Sequence, residues 1–215
     1  AQSPTKYRPL FAATAPRDSL LNLAVWEDGR VTGGGRLFRY LLSSNPLIRQ
    51  RAVQVVGRIQ DPQDVAVLIP LLKDPDEQVV LETVFALGQI GSLAADSALV
   101  ALGKSALPER QAVIAEALGK IGGPEAVAAL SEMLRAFQPS VRSAAAEGLA
   151  RAADPSALGA LFVALHDGGP EVQWRAIYAL EKIESDEIPG KVIPFLDDKN
   201  PVLRAYAART LGKRK

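Results

Sequence analysis

The sequence contains no cysteine, which excludes disulfides, thiolate catalysis and cysteine-based zinc sites together. It has a single histidine, His166, which leaves too few ligands for a transition-metal site. Aromatic residues make up only 6% of its 215 residues, and a β-sandwich core would draw on more Val, Ile, Tyr and Phe than that. The hydrophobic residues, 48% of the chain, are dominated by Ala and Leu, the composition of closely packed helices. Charge of one sign is also missing: 25 basic residues stand against 24 acidic ones. No global field therefore draws the chain to nucleic acid or an anionic membrane. No apolar run approaches the roughly 20 residues that a membrane span needs. The start, Ala1-Gln2-Ser3, fits what remains after cleavage at a small-residue site, a chain trimmed of Met, or an artificial edge. The reading inclines toward an exported or periplasmic protein over a cytoplasmic one.

What the sequence does have is a repeat. Set in lines of 31, it places Val56, Leu87, Leu118, Leu149, Leu180 and Leu211 in one column. Ten places earlier stand Pro46, Glu77, Pro108, Pro139, Pro170 and Pro201, five of six proline, with no insertion across five periods. Ile48, Val79, Val141, Val172 and Leu203 share another column, as do Ala52, Ala145, Ala176 and Ala207. Each line predicts two helices. The second opens on a cap such as Asn45, Asp76 or Asn200, usually with proline next, where a missing N–H costs nothing. Its apolar positions 48, 52, 55, 56 and 59 form a 3.6-residue stripe. The first helix is shorter, with Leu68, Leu99, Leu130, Leu161 and Val192 as its core column, and Pro70 and Pro194 are expected to kink or shorten it.

One such hairpin cannot bury its stripe alone, so neighbours must stack into a continuous core. The fold predicted is all-α: a right-handed α-solenoid of about six hairpin units plus an N-terminal cap. Residues 1–36 are off the period and are read as an extension with a capping helix over 19–28 and a flexible loop over 31–35. Residues 37–215 form the solenoid, with units at 37–63, 64–93, 94–124, 125–155, 156–187 and 188–215. No capping repeat follows the last unit, so continuation of the natural chain past Lys215 is an expectation.

The segment Pro46-Leu-Ile-Arg-Gln-Arg-Ala-Val-Gln-Val-Val-Gly-Arg-Ile59, and residues 79–91, resemble the short HEAT repeats of phycobilisome lyases. That pattern runs Pro, Val-Arg, Ala, then Ala-Leu-Gly-x-Ile-Gly. The resemblance covers about 37–215. Its arginine is kept at Arg49, Arg142 and Arg204 and replaced by Val80, Gln111 and Gln173, with the third repeat degenerate at Arg110. The family implies a HEAT-like, armadillo-like fold and a range of roles: scaffold or adaptor domains, chromophore-lyase subunits, and the arm preceding a cyclophilin-type prolyl isomerase domain in exported bacterial proteins. The expected function is a protein-binding scaffold; the alternative is a non-catalytic arm of such an isomerase, or a lyase-like subunit.

The candidate site lies on the second helices, away from the stripe, on the face expected to be concave. Leu81 with Phe85, and Trp174 with Tyr178, are i,i+4 pairs where polar residues are expected, and Arg175, Tyr206 and Arg209 lie near the second pair. Trp174 is expected to stand over small neighbours, Ser143 and Ala205. Trp, Tyr and Arg together compose a binding hot spot for a protein or peptide. Self-association and simple packing are the competing readings. Between the anchors, Ala112, Ser143 and Ala144 would make a mild floor for an extended peptide or helix.

Other signals are set aside. The row Arg58, Lys120, Arg151, Lys182 and Lys213 could track phosphates. Each sits at a helix C-terminus, where a cation offsets the macrodipole, with Glu116, Glu147 and Glu181 close by. Nucleic acid is therefore not expected as a partner. Ala98-x4-Gly103-Lys104-Ser105 matches a permissive phosphate-loop pattern but falls on a first helix with Leu99 and Leu102 in core columns. His166 is expected to be exposed at a helix end, and Asp197-Asp198 to be cap or solvent residues. No catalytic constellation, cofactor or metal is expected.

Overall fold

The structure, a computed structural model, describes residues 16–213. Ala1-Gln2-Ser3 and Lys215 lie outside the described residues. The described chain is helical throughout, with no strand among its described residues. It divides into two compact units, bounded at Ile90 and Gly91.

In the first unit, α1 (Pro16–Asp28) is followed by a 3-10 helix (Arg36–Leu42) and α2 (Pro46–Ile59). A short α3 (Val65–Leu68) runs into a 3-10 turn (Ile69–Lys73), and α4 (Glu77–Ile90) closes the unit. The change of helix type falls at Pro70, where proline removes a backbone donor. The side chains of Asn45 and Asp76 accept from the amides of Leu47 and of Gln78 and Val79, so the expected caps form.

In the second unit, α5 (Asp96–Ser105) pairs with α6 (Pro108–Ile121), and α7 (Pro124–Met133) with α8 (Pro139–Ala152). Then α9 (Leu158–Ala164) pairs with α10 (Pro170–Glu181), and α11 (Ile188–Val192) with α12 (Pro201–Gly212). α11 gives way to a 3-10 turn (Ile193–Asp197) at Pro194, as α3 does at Pro70. Every second helix thus begins on the 31-residue column read from the sequence.

The core follows the columns. Leu68, Leu99, Leu130, Leu161 and Val192 are fully buried, as are Val56, Leu118, Leu149 and Leu180. The stripe is wider than read, because Val53 is fully buried too, whereas Ile59 and Leu102 are only half-buried. Second helices meet closely where side chains vanish: a Cβ on Gly119 of α6 would lie 2.4 Å from Gly148 Cα of α8. Only glycine permits that backbone approach. The fold is an α-solenoid of stacked hairpins.

Candidate functional site

The second-helix face of the second unit carries an aromatic cluster. Trp174 and Tyr178 lie one turn apart on α10, so both project from the same side. Tyr206 on α12 fills the space between them. Its ring stacks on Trp174, with centroids 4.8 Å apart and planes 21° from parallel. It meets Tyr178 edge-on at 6.1 Å. The sequence placed Trp174 over Ser143 and Ala205, with Tyr206 nearby; its principal ring contact is Tyr206 itself. All three rings are half-buried.

Cations surround these rings. The Arg175 guanidinium lies 4.1 Å from the Trp174 ring centroid, and Arg209 and Lys182 lie 5.6 and 5.0 Å from that of Tyr178. Arg175 donates to Glu171 and sits 3.6 Å from Glu147. The indole N–H of Trp174 donates to the same Glu171 at 3.1 Å, so one carboxylate holds both the ring and its cation. Those two donors keep the Glu171 carboxyl below its ordinary range. Glu181 is the buried anchor: its side chain is 1% exposed, and it receives Lys213 and Arg209, the latter at 2.9 Å. Burial pushes its carboxyl up, but hydrogen bonds and charge from Lys213 and Arg209 prevail and hold it low. Ion pairs and cation–ring contacts thus link the cluster's side chains to one another.

Beside it, Ala112 and Ala144 line a shallow depression of about 270 Å³ between α6 and α8, rimmed by Glu116, Glu147 and Arg151. Ser143, the third residue of the floor expected from the sequence, is not among its lining residues.

In the first unit, Leu81 is half-buried on α4 and Phe85 is 45% exposed. Phe85 borders a polar cleft of about 780 Å³ lined by Glu27 of α1, Gln54 and Arg58 of α2, and Glu82 and Gln89 of α4. The Gln54 amide donates to Glu82 at 3.0 Å. Sequence reasoning missed this cleft; the acid on the capping helix, Glu27, was the available signal. Of the seven candidate residues, Trp174, Arg175, Tyr178, Tyr206 and Arg209 come together, and Leu81 and Phe85 belong to the other unit.

Four of the five cations in the row are paired, Arg58 with Glu27, Lys120 with Glu116, Arg151 with Glu147 and Lys213 with Glu181, and the fifth, Lys182, lies over the Tyr178 ring. The phosphate-loop lookalike is helical in α5, and His166 is exposed. No cluster of three or more His, Cys, Asp or Glu arranged for a metal occurs among the described residues. No described helix is long and apolar enough to cross a membrane.

Comparisons agree on the fold. A search of curated proteins finds no match. A designed armadillo repeat protein in complex with the peptide (KR)4 is similar over 84% of this chain and 98% of its own, at 20% identity and TM-score 0.63. An archaeal HEAT-like repeats protein from Thermococcus onnurineus NA1 matches over 91% and 93%, at 16% identity and TM-score 0.62. The complex of CpcE and CpcF of phycocyanin lyase from Nostoc sp. PCC7120 matches over 94% and 84%, at 19% identity and TM-score 0.55. The PBS lyase HEAT-like repeat matches residues 111–136. The family model for HEAT repeats matches residues 36–115 and 131–212, most of the chain, which belongs to the HEAT-repeat family.

Proposed function

We propose that this chain is a non-catalytic binding scaffold that holds a partner protein or peptide on its second-helix face. The observation that carries the reading is the half-exposed stack of Trp174 on Tyr206, braced by Tyr178, Arg175 and Arg209. Rigid aromatic area beside arginine gives much contact energy for little lost side-chain freedom. Leu81 and Phe85 serve as a second contact in the first unit. The designed armadillo neighbour carries a bound peptide, which supports the same use of a related fold here.

The test is a pull-down from source lysate with wild-type chain and a Trp174→Ala, Tyr178→Ala double variant, read by mass spectrometry. A protein retained by the wild type and lost by the variant supports the reading. Identical eluates refute this site. The match of residues 111–136 to the lyase-type repeat favours one alternative, a lyase-like subunit. That alternative predicts a tetrapyrrole absorbance band in protein mixed with the pigment; a flat spectrum removes it.

A further inference from the structure

Two arginines make the same joint between successive hairpins. Arg49 of α2 donates to Asp74 through Nε and Nη2, both at 2.7 Å. Arg142 of α8 donates to Asp167 through Nε at 2.5 Å and Nη2 at 3.0 Å. In both, the aspartate follows its arginine by 25 residues and sits on the turn leading into the next second helix. Both joints are largely buried. The third repeat lacks the joint. Gln111 of α6 stands in the arginine column, and Ala136 stands 25 residues later. The Gln111 amide donates instead to the carbonyl of Gly103 at 3.1 Å. The place thus holds neither guanidinium nor carboxylate, and a cleft of about 330 Å³ lies there between α5 and α7, with Gln111 and Ala136 in its lining.

Two cations face the same cleft: Lys104 from the last turn of α5 and Arg135 just past the end of α7. Both are exposed, and among the described residues neither takes part in an ion pair or a side-chain hydrogen bond. That sets them apart in this unit, where Lys120, Arg142, Arg151, Arg175, Arg209 and Lys213 all bind carboxylates. Nor are they needed as helix caps. The Gly103 carbonyl receives Gln111 and the Ala106 amide, and the carbonyls of Ala136 and Phe137 receive Arg142. Glu132 is the one acid in the lining, so two cations against one acid leave the cleft with net charge +1. Val100 and Met133 give it an apolar wall. On the turns that follow the two cations, Leu107 is 73% exposed and Phe137 is 91% exposed.

We propose that this cleft is a docking site for an acidic segment of a partner protein, which sets an Asp or Glu side chain between Lys104 and Arg135 and an apolar neighbour against Val100 and Met133. Charge complementarity selects that occupant. The cleft presents two unpaired cations and lacks the carboxylate that Asp74 and Asp167 supply at the joints. Exposed Leu107 and Phe137 offer apolar contact beside it, as a protein-binding surface does. A flat anionic membrane does not enter a recess between two helices, and Glu132 in the lining opposes a dense layer of phosphates. The site lies on the first helices and does not rest on the aromatic cluster around Trp174.

The test selects a displayed library of random dodecapeptides on the full chain and measures the selected peptides by fluorescence anisotropy. Expected is a class of binders with Asp or Glu next to an apolar residue. Lys104→Gln with Arg135→Gln should weaken that class by about tenfold or more, and so should an amide in place of the peptide's acid. Rising salt should weaken it too. Both side chains are exposed, so the double variant should keep its Tm within about 2 °C of wild type. Trp174→Ala with Tyr178→Ala should leave these peptides bound, which separates failure of this site from failure of the aromatic face. The proposal is overturned if no selected peptide depends on Lys104 and Arg135, or if those that do carry no acid. Co-sedimentation with phosphatidylserine vesicles that the Lys104→Gln, Arg135→Gln variant loses also overturns it, since a membrane would then own the cleft.

Discussion

α2 and α12 are the same element in the same register, and they differ in what lies beside them. α2 is flanked by α1 and α4. Its outer arginines, Arg51 and Arg58, converge on Glu27 of α1, a carboxylate only 11% exposed. Val53 and Gly57 are buried there, while their counterparts Ala208 and Gly212 are exposed on α12. The difference shows that a second helix of this kind has two sides that a neighbour can cover, as the stacking logic of repeat proteins describes.

The largest expected effect lies at the covered side. Trp26 of α1 is buried against Tyr40, with ring centroids 5.7 Å apart. The turn at Gly33, with φ of 60°, folds over it so closely that a Cβ would stand 2.8 Å from the indole. Trp26→Ala should cost about 3–5 kcal/mol in urea unfolding. Ala208→Ser on α12 should stay within about 0.5 kcal/mol. Equal costs would break the contrast between the two helices. Leu118→Ala, in the fully buried interior of α6, should cost about 2–5 kcal/mol and serves as the reference for a helix covered on both sides.

The arginine joints sharpen the comparison at smaller cost. Arg142→Gln leaves Asp167 without its partner in a largely buried place, and should cost about 2 kcal/mol. Arg204→Gln should cost less than about 0.5 kcal/mol in the same assay. The acid limb of stability follows from the same pairs. The bond and charge of Arg49 hold the Asp74 carboxyl low against burial, and Arg142 does the same for Asp167, where burial opposes most strongly. Their contribution is complete above the ordinary aspartate value and disappears as pH falls through the depressed values. Asp64 and Asp96 act oppositely. Burial raises both, and each leaves one carboxylate oxygen buried without a hydrogen bond. Their ionisation destabilises the fold at neutral pH, and that penalty lifts as pH falls toward the ordinary value. Stability should therefore rise on mild acidification and fall on strong acidification. Asp64→Asn with Asp96→Asn should flatten the first limb of a Tm–pH profile and leave the second.

The sequence announces its helices because proline at N1 and a buried Leu or Val column recur without slippage, and both constrain the backbone locally. α1 is legible apart from the period: the run 19–28 reads as a helix, and the structure extends it back to Pro16. The joints are less so. Arg49, Arg142 and Arg204 stand out as a column, but the aspartates of Arg49 and Arg142 lie 25 residues on, in turns that read as caps, and the Asp198 carboxylate on such a turn meets no arginine among the described residues, with Gln173 bonded instead to the carbonyl of Leu165. Asp64 and Asp96 look like ordinary cap residues, and only packing reveals that they are buried. At the candidate site, the i,i+4 spacing of Trp174 and Tyr178 is visible. The stack on Tyr206 is not, because it joins two helices through side-chain rotamers that no column specifies.

That stack gives a modest expected change in stability. A ring pair of this geometry contributes about 0.5–1.5 kcal/mol beyond burial, and Trp174 is only half-buried. Trp174→Ala should therefore lower stability by about 1 kcal/mol, well short of the loss expected for Trp26→Ala. The two tryptophans of the chain thus separate two purposes. Trp26 is buried beneath a turn that only glycine can form so closely, and its removal opens a cavity. Trp174 is braced by Glu171 and Arg175 and only half-buried, and its removal takes away part of the surface. Differential scanning calorimetry of the two variants decides the matter. A loss at Trp174 as large as at Trp26 would make the cluster part of the core and end its candidacy as a binding surface.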